Sequence, residues 1–178
     1  MSLFTIAALS FAACTNINKD AHKSQKDRVT ENTLPADTAQ NAISASGEIA
    51  LDQLPSNIKE FVAKNYAGYT MQHAAYDPLC SGGNATDVAI SKKGSPSYSL
   101  IFLPNGTFVQ QEEDIDISKA PAAVLEMVKT KYTGFTPAQQ IERLTLADKS
   151  IQYLLDITKN KIAKEVIFND AGMVVCEH

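Results

Sequence analysis

The sequence predicts an α+β fold: a helix followed by a four-stranded antiparallel sheet, written twice in tandem. Three observations carry this reading. Residues recur at a constant offset of 66; hydrophobic spacing changes from a period of 3.6 to a period of 2 within each copy; and turn-forming residues separate the alternating segments.

The repeat is visible position by position. Pro55 recurs as Pro121, Ile58 as Val124, Glu60 as Glu126, Phe61 as Met127, Val62 as Val128 and Tyr66 as Tyr132. Gly68 and Gly134 follow, then Tyr69 and Phe135, and at the far end Phe102 with Phe168 and Gly106 with Gly172. Within each first segment the apolar residues fall at i, i+3, i+4 and i+8, which places them on one helical face. Pro55 and Pro121 suit a first helical turn, and Gly68 and Gly134 suit the position just past a helix end.

Alternation follows each helix. Ile151, Tyr153, Leu155 and Ile157 alternate, Lys159-Asn160-Lys161 turns the chain, and Ile162, Val166 and Phe168 continue it as a hairpin. In the first copy Val88 and Ile90 alternate, a turn surrounds Lys93-Gly94-Ser95-Pro96, and Tyr98, Leu100 and Phe102 alternate again. Asn105-Gly106 and Asp170-Ala171-Gly172 turn each copy into a last strand, over residues 107–111 and 173–177, while residues 70–76 and 140–146 supply a first one. Val88 and Ile90 map at the common offset onto Leu154 and Asp156, the opposite parity from Tyr153 and Leu155, so a compensated one-residue shift lies nearby.

Before the repeats, two segments differ in kind. Residues 1–14 are an apolar run that stops at Cys14, the shape of a secretory segment and its cleavage site. Phe11-Ala12-Ala13-Cys14 resembles the lipobox of bacterial lipoproteins, with Phe11 where Leu is usual, and implies lipidation of Cys14. Residues 15–50 are polar, with Leu34, Ile43 and Ile49 too far apart to define a buried face, and read as a flexible tether. The domains are therefore 1–14, 15–50, 51–116 and 117–178.

Leu54-Pro55-Ser56-Asn57-Ile58-Lys59-Glu60-Phe61, Ser99-Leu100-Ile101-Phe102-Leu103-Pro104-Asn105-Gly106 and Ile167-Phe168-Asn169-Asp170-Ala171-Gly172 carry a family resemblance. From about residue 51 to 177 the chain resembles the PepSY-like, β-lactamase-inhibitor-like family of exported Bacteroidetes lipoproteins. Its motifs, a Leu-Pro-led helix and a Phe-x-x-x-Gly strand turn, specify fold more than partner. Ala120 departs from the pattern by replacing the Leu in the second copy. The resemblance implies helices on one side of an antiparallel sheet, with a sheet face or loop rim left for binding a protein or peptide of the cell envelope.

Chemistry is thinly signalled. The 178 residues are 44% hydrophobic and 20% charged with a net charge of −4, which offers no basic footprint for nucleic acid. No stretch of 18 apolar residues exists, so contact with a membrane is expected only through the N-terminal lipid. His22, His73 and His178 fall in no ligand spacing, and no nucleophile elbow, Walker loop or dinucleotide fingerprint occurs; the expectation is no enzyme, no cofactor and no metal site. Glu112, Glu113, Asp114 and Asp116 read as a solvated linker between copies, since their spacing is not that of a calcium loop.

With Cys14 assigned to lipid, Cys80 and Cys176 remain as a possible disulfide, the alternative being two buried free thiols. A bridge would close a loop of about 95 residues, worth on the order of 4 kcal/mol in the chain-entropy model. Candidate binding loops are those where the copies differ: Leu79, Ser81, Gly82, Gly83 and Asn84 around Cys80, and Lys92, Lys93, Ser95 and Ser97. The functional expectation is an exported, lipid-anchored binding or inhibitory module of the periplasm or outer membrane. A structural lipoprotein of the envelope is the alternative, and a hydrolase or metal protein has least support.

Overall fold

In the computed structural model residues 47–178 are described; the segment expected to be secretory, Cys14 and nearly all of the expected tether lie outside the described residues. Two helices, α1 (Ser56–Asn65) and α2 (Ala122–Lys131), accompany nine strands. The strands are β1 (Thr70–Pro78), β2 (Asn84–Ser91), β3 (Tyr98–Phe102), β4 (Phe108–Asp116), β5 (Thr136–Pro137), β6 (Gln140–Leu146), β7 (Ile151–Lys159), β8 (Ile162–Asn169) and β9 (Val174–Glu177). All pair antiparallel in one sheet ordered β1-β2-β3-β4-β6-β7-β8-β9, with β5 beside β7.

Two expectations are corrected by this topology. The acidic run is not a linker: it is the second half of β4, paired with β6 from Gln110↔Leu146 to Asp116↔Gln140, and it fuses the two halves into one sheet. Nor is residue 50 the end of a tether. Ile49 N–H donates to Ala74 O (2.8 Å), Gly47 O accepts from Tyr76 N–H (2.8 Å), and Ile49 packs on the first core. These pairs cover part of the exposed edge of β1, which composition cannot reveal.

Each helix buries its apolar stripe on the same face of the sheet. Ile58 and Val62 of α1 meet Ala74, Val88, Ile90, Leu100 and Phe102. Val124 and Val128 of α2 meet Ile141, Leu155, Ile157, Val166 and Phe168. Leu54 and Ala120 are buried at the head of their respective helices, so the smaller residue still fills a core position. Lys92 and Lys159 finish the helices alike. Each Nζ lies 3.3 Å from a carbonyl oxygen past the helix end, Ala67 O or Thr133 O, and 5.7 Å from an aromatic ring, Tyr69 or Phe135. An ammonium there neutralises the negative end of the helix dipole. Lys92 is thus held as a helix cap, a role its loop position did not suggest.

Register explains the parity mismatch. Met71 and His73 of β1 oppose the adjacent Ile90 and Ala89, a bulge of one residue. In the second half, Pro137 opposes Ile157 and Glu142 opposes Leu154, so two extra residues fall between β5 and β6. The second half gains one residue there and loses it in the next hairpin, where Ile157↔Lys164 closes a shorter loop than Ile90↔Tyr98.

The Phe-x-x-x-Gly motif has a packing origin. Phe102 and Phe168 are fully buried under their helices, and the turn that follows each strand is pressed onto the first turn of that helix. Asn57 Nδ2 donates to Asn105 O (2.9 Å) in the first half. In the second, Gly172 sits at φ +76° where a Cβ would collide with the Ala123 carbonyl. Gly172→Ala is therefore expected to destabilise the fold by about 3 kcal/mol, from left-handed strain plus a backbone clash. Gly94→Ala, with similar φ but open space around it, should cost about 1 kcal/mol. Urea unfolding of the two variants checks the difference.

Candidate functional site: the helix-free face of the sheet

Directly opposed residues in a sheet project from the same face. The pairs Val88↔Leu100 and Leu155↔Val166 lie under the helices; Asp87↔Ile101, Glu112↔Leu144, Asp114↔Glu142 and Asp156↔Glu165 lie on the other side. Ile101 and Leu144 are 1% and 0% exposed although neither α1 nor α2 lies on their side of the sheet. The sheet curls over them. Strands twist by roughly 20–25° per neighbour, and over eight strands this carries the far corner of β9 back to that of β1. Cys80, just past β1, and Cys176 of β9 are joined by a disulfide with their Cα atoms 6.2 Å apart, although their strands stand at opposite ends of the sheet order.

The resulting concavity is acidic. Asp77, Asp87, Glu112, Asp114, Glu142, Asp156 and Glu165 project into it from six strands, and no Lys or Arg among the described residues occupies a register position on this face. Its floor is apolar, with Ile101, Leu144, Leu154 and Ile167. A hollow of about 130 Å³ lies below the β1–β2 turn, between Asp77, Cys80, Glu112, Leu154, Ile167 and His178. Towards the other end, a hollow of about 280 Å³ is lined by Gln72, Ser97, Tyr98, Glu112, Asp114 and Glu142.

Crowding carboxylates in a half-dry concavity disfavours their charge. Burial raises Glu112 to about 8, with Glu142, Asp87 and Asp77 repelling its anion and the Gln110 amide, which donates to Oε1 (2.7 Å), opposing the rise. Glu142 is raised to about 7 by burial and by the charges of Asp114, Asp156, Glu165 and Asp77. Burial also raises Asp87, whose Oδ1 has no hydrogen-bond partner, and Asp77, against the pull of His178. His178 lies 2.9 Å from Glu165 Oε2 through Nε2 and 3.4 Å from Cys80 Sγ through Nδ1. Among the described residues no three His, Cys, Asp or Glu side chains are grouped so as to hold a metal.

The two candidate loops do not form one site. Residues 79–84 and 92–97 sit at opposite ends of β2; Leu79 and Cys80 line the smaller hollow and Ser97 the larger. Ser81, Gly82, Gly83, Asn84, Lys93 and Ser95 are exposed and border neither, and Lys92 is held at the end of α1. The carboxylates were missed as a group. Their signal is the alternation in β4, where Glu112 and Asp114 face the concavity while Glu113 turns to the helix side and pairs with Arg143.

These shifts set a pH dependence of stability. Between roughly pH 4.5 and 8 the unfolded chain releases protons that Glu112 and Glu142 retain in the fold, so stability falls as pH rises. Glu177 acts in the opposite sense. Lys164, Tyr132 and Lys131 hold it down at about 2, so its stabilisation, weakened by exposure, is lost as pH drops below the ordinary carboxylate range. The thermal midpoint should peak between about pH 4 and 5 and decline towards pH 8.5. Glu112→Gln should flatten the decline and raise the pH 8 midpoint by about 5 °C; a pH series of thermal melts of both proteins checks this.

No family model matches the chain, and no curated protein matches it. Solved structures do. A DUF2874 family protein from Bacteroides uniformis superposes with a TM-score of 0.52 and 15% identity, over 70% of this chain and 88% of that one. A second DUF2874 family protein, from Bacteroides ovatus, gives 0.50 and 11%, over 70% and 86%. A protein from Bacteroides eggerthii provisionally assigned to the periplasm gives 0.51 and 15%, over 70% and 87%. At these identities what is shared is the fold.

Proposed function

We propose that this chain is an exported, lipid-anchored, non-catalytic binding module whose concave sheet face receives a cationic segment of an envelope protein or peptide. The acidic concavity carries the reading: carboxylates from six strands converge over an apolar floor with no Lys or Arg among them. A fold optimised only for stability would not crowd them there, because holding Glu112 and Glu142 near neutrality weakens it at physiological pH. A partner with projecting Lys or Arg would supply the missing charge, while its apolar stems lie on Ile101, Leu144 and Leu154.

Export and anchoring rest on the apolar run ending at Cys14 and fit the periplasmic assignment of the Bacteroides eggerthii neighbour. Kinship with the PepSY-like, β-lactamase-inhibitor-like family, and internal duplication as the origin of the two halves, belong to the same reading. Their support is the 66-residue offset and the identical seating of Phe102 and Phe168 beneath equivalent turns.

Crosslinking followed by affinity capture from intact envelopes should enrich one partner. Capture should weaken by about tenfold or more in an Asp114→Asn/Glu142→Gln double variant and decline with added salt. Equal capture by the double variant would reject the acidic face as the docking surface. Mass spectrometry of the mature protein should find a diacylglyceryl group on Cys14; an intact Met1 in envelope fractions would reject the anchor.

A further inference from the structure

We infer that the Cys80–Cys176 bridge is a thiol–disulfide exchange site of fixed polarity, in which an incoming thiolate attacks Cys176 and Cys80 departs as a thiolate held by His178. The two sulfurs have different surroundings. His178 Nδ1 lies 3.4 Å from Cys80 Sγ, while its Nε2 lies 2.9 Å from Glu165 Oε2. Glu165 and His178 exchange both backbone hydrogen bonds, 3.0 and 3.1 Å, which fixes the imidazole against β8. With Nε2 turned to the Glu165 carboxylate, Nδ1 is the ring nitrogen that faces Cys80. Cys176 Sγ has no hydrogen-bonding group among the described residues and sits half-buried on β9, the outermost strand.

Exchange proceeds through the better leaving thiolate. Departure of Cys80 places negative charge in a hollow already lined by Asp77, Glu112 and Glu165, where an unaccompanied thiolate would be repelled. His178 is the one lining side chain of that hollow able to carry positive charge, so it decides which sulfur leaves. The co-reactant is a dithiol reductant. Its first thiolate bonds to Cys176 Sγ as the S–S bond breaks and the electron pair goes to Cys80 Sγ. Its second thiolate then displaces Cys176, leaving two protein thiols and an oxidised reductant, a two-electron exchange. Reduction unties the corner of β1 from β9 at the rim of the concavity.

The test uses the full chain and glutathione, a monothiol, as probe, with rapid acid quenching and peptide mass mapping. The mixed disulfide is expected on Cys176; an adduct mainly on Cys80, or equally on both, overturns the polarity. Reduction by dithiothreitol should slow by about tenfold in His178→Gln and by a smaller factor in Glu165→Gln. Unchanged rates in His178→Gln would overturn the role of the imidazole. Adduct position is read on the unaltered chain, so it stands whatever the variants do to folding. Neither readout involves a partner, so failure here is distinguishable from failure of the binding reading.

Discussion

The pairing of β4 with β6 is the interaction on which the rest of the structure depends. Seven opposed residue pairs, Gln110↔Leu146 through Asp116↔Gln140, convert two half-sheets into one. Without that seam each half would be a short sheet with a helix on one side and an exposed edge on the other. With it, twist accumulates over eight strands, the helix-free face turns inward, and the corners holding Cys80 and Cys176 meet. Curvature, an enclosed face and the cross-sheet bridge are thus consequences of a single ladder.

That ladder is built from residues poorly suited to it. Glu112, Glu113, Asp114 and Asp116 have low strand propensity and belong by composition to a solvated turn. Neighbouring order overrides the preference. β6 pairs with the whole run while β3 reaches only Glu112, Arg143 neutralises Glu113 on the helix side, and the remaining carboxylates are carried inward by alternation. Burial then raises the affinity of Glu112 and Glu142 for protons until they titrate near neutrality. The acidic face is costly to the fold and for that reason informative about use.

The two helix-bearing cores are conservative by contrast. Phe102 and Phe168 fill the same place, Lys92 and Lys159 end the helices alike, and Gly106 and Gly172 let equivalent turns press on helix starts. Differences concentrate elsewhere. One is the size of the bulge that breaks β5 from β6; the other is the partner of the tyrosine that ends each helix, Gln111 for Tyr66 and Glu177 for Tyr132. Glu177 belongs to an edge strand where Lys131 and Lys164 can reach it, whereas Gln111 lies mid-sheet, where a charge would have no such company.

Both helices, their apolar stripes and most strands were legible in the sequence because they rest on local periodicity: Ile58, Phe61 and Val62 announce a helical face, and Tyr153, Leu155 and Ile157 a strand. Turn residues are local too, so Gly106 and Gly172 marked strand ends. The candidate site was not legible. Asp77, Asp87, Glu112, Glu142 and Glu165 are scattered over the chain, and only the register of successive ladders brings them to one face. The same holds for His178, whose approach to Cys80 and Glu165 depends on the sheet curling back on itself. Periodicity is a property of neighbours along the chain and so survives in the sequence; strand order and curvature are sums over long-range pairings, and the tertiary structure alone decided them.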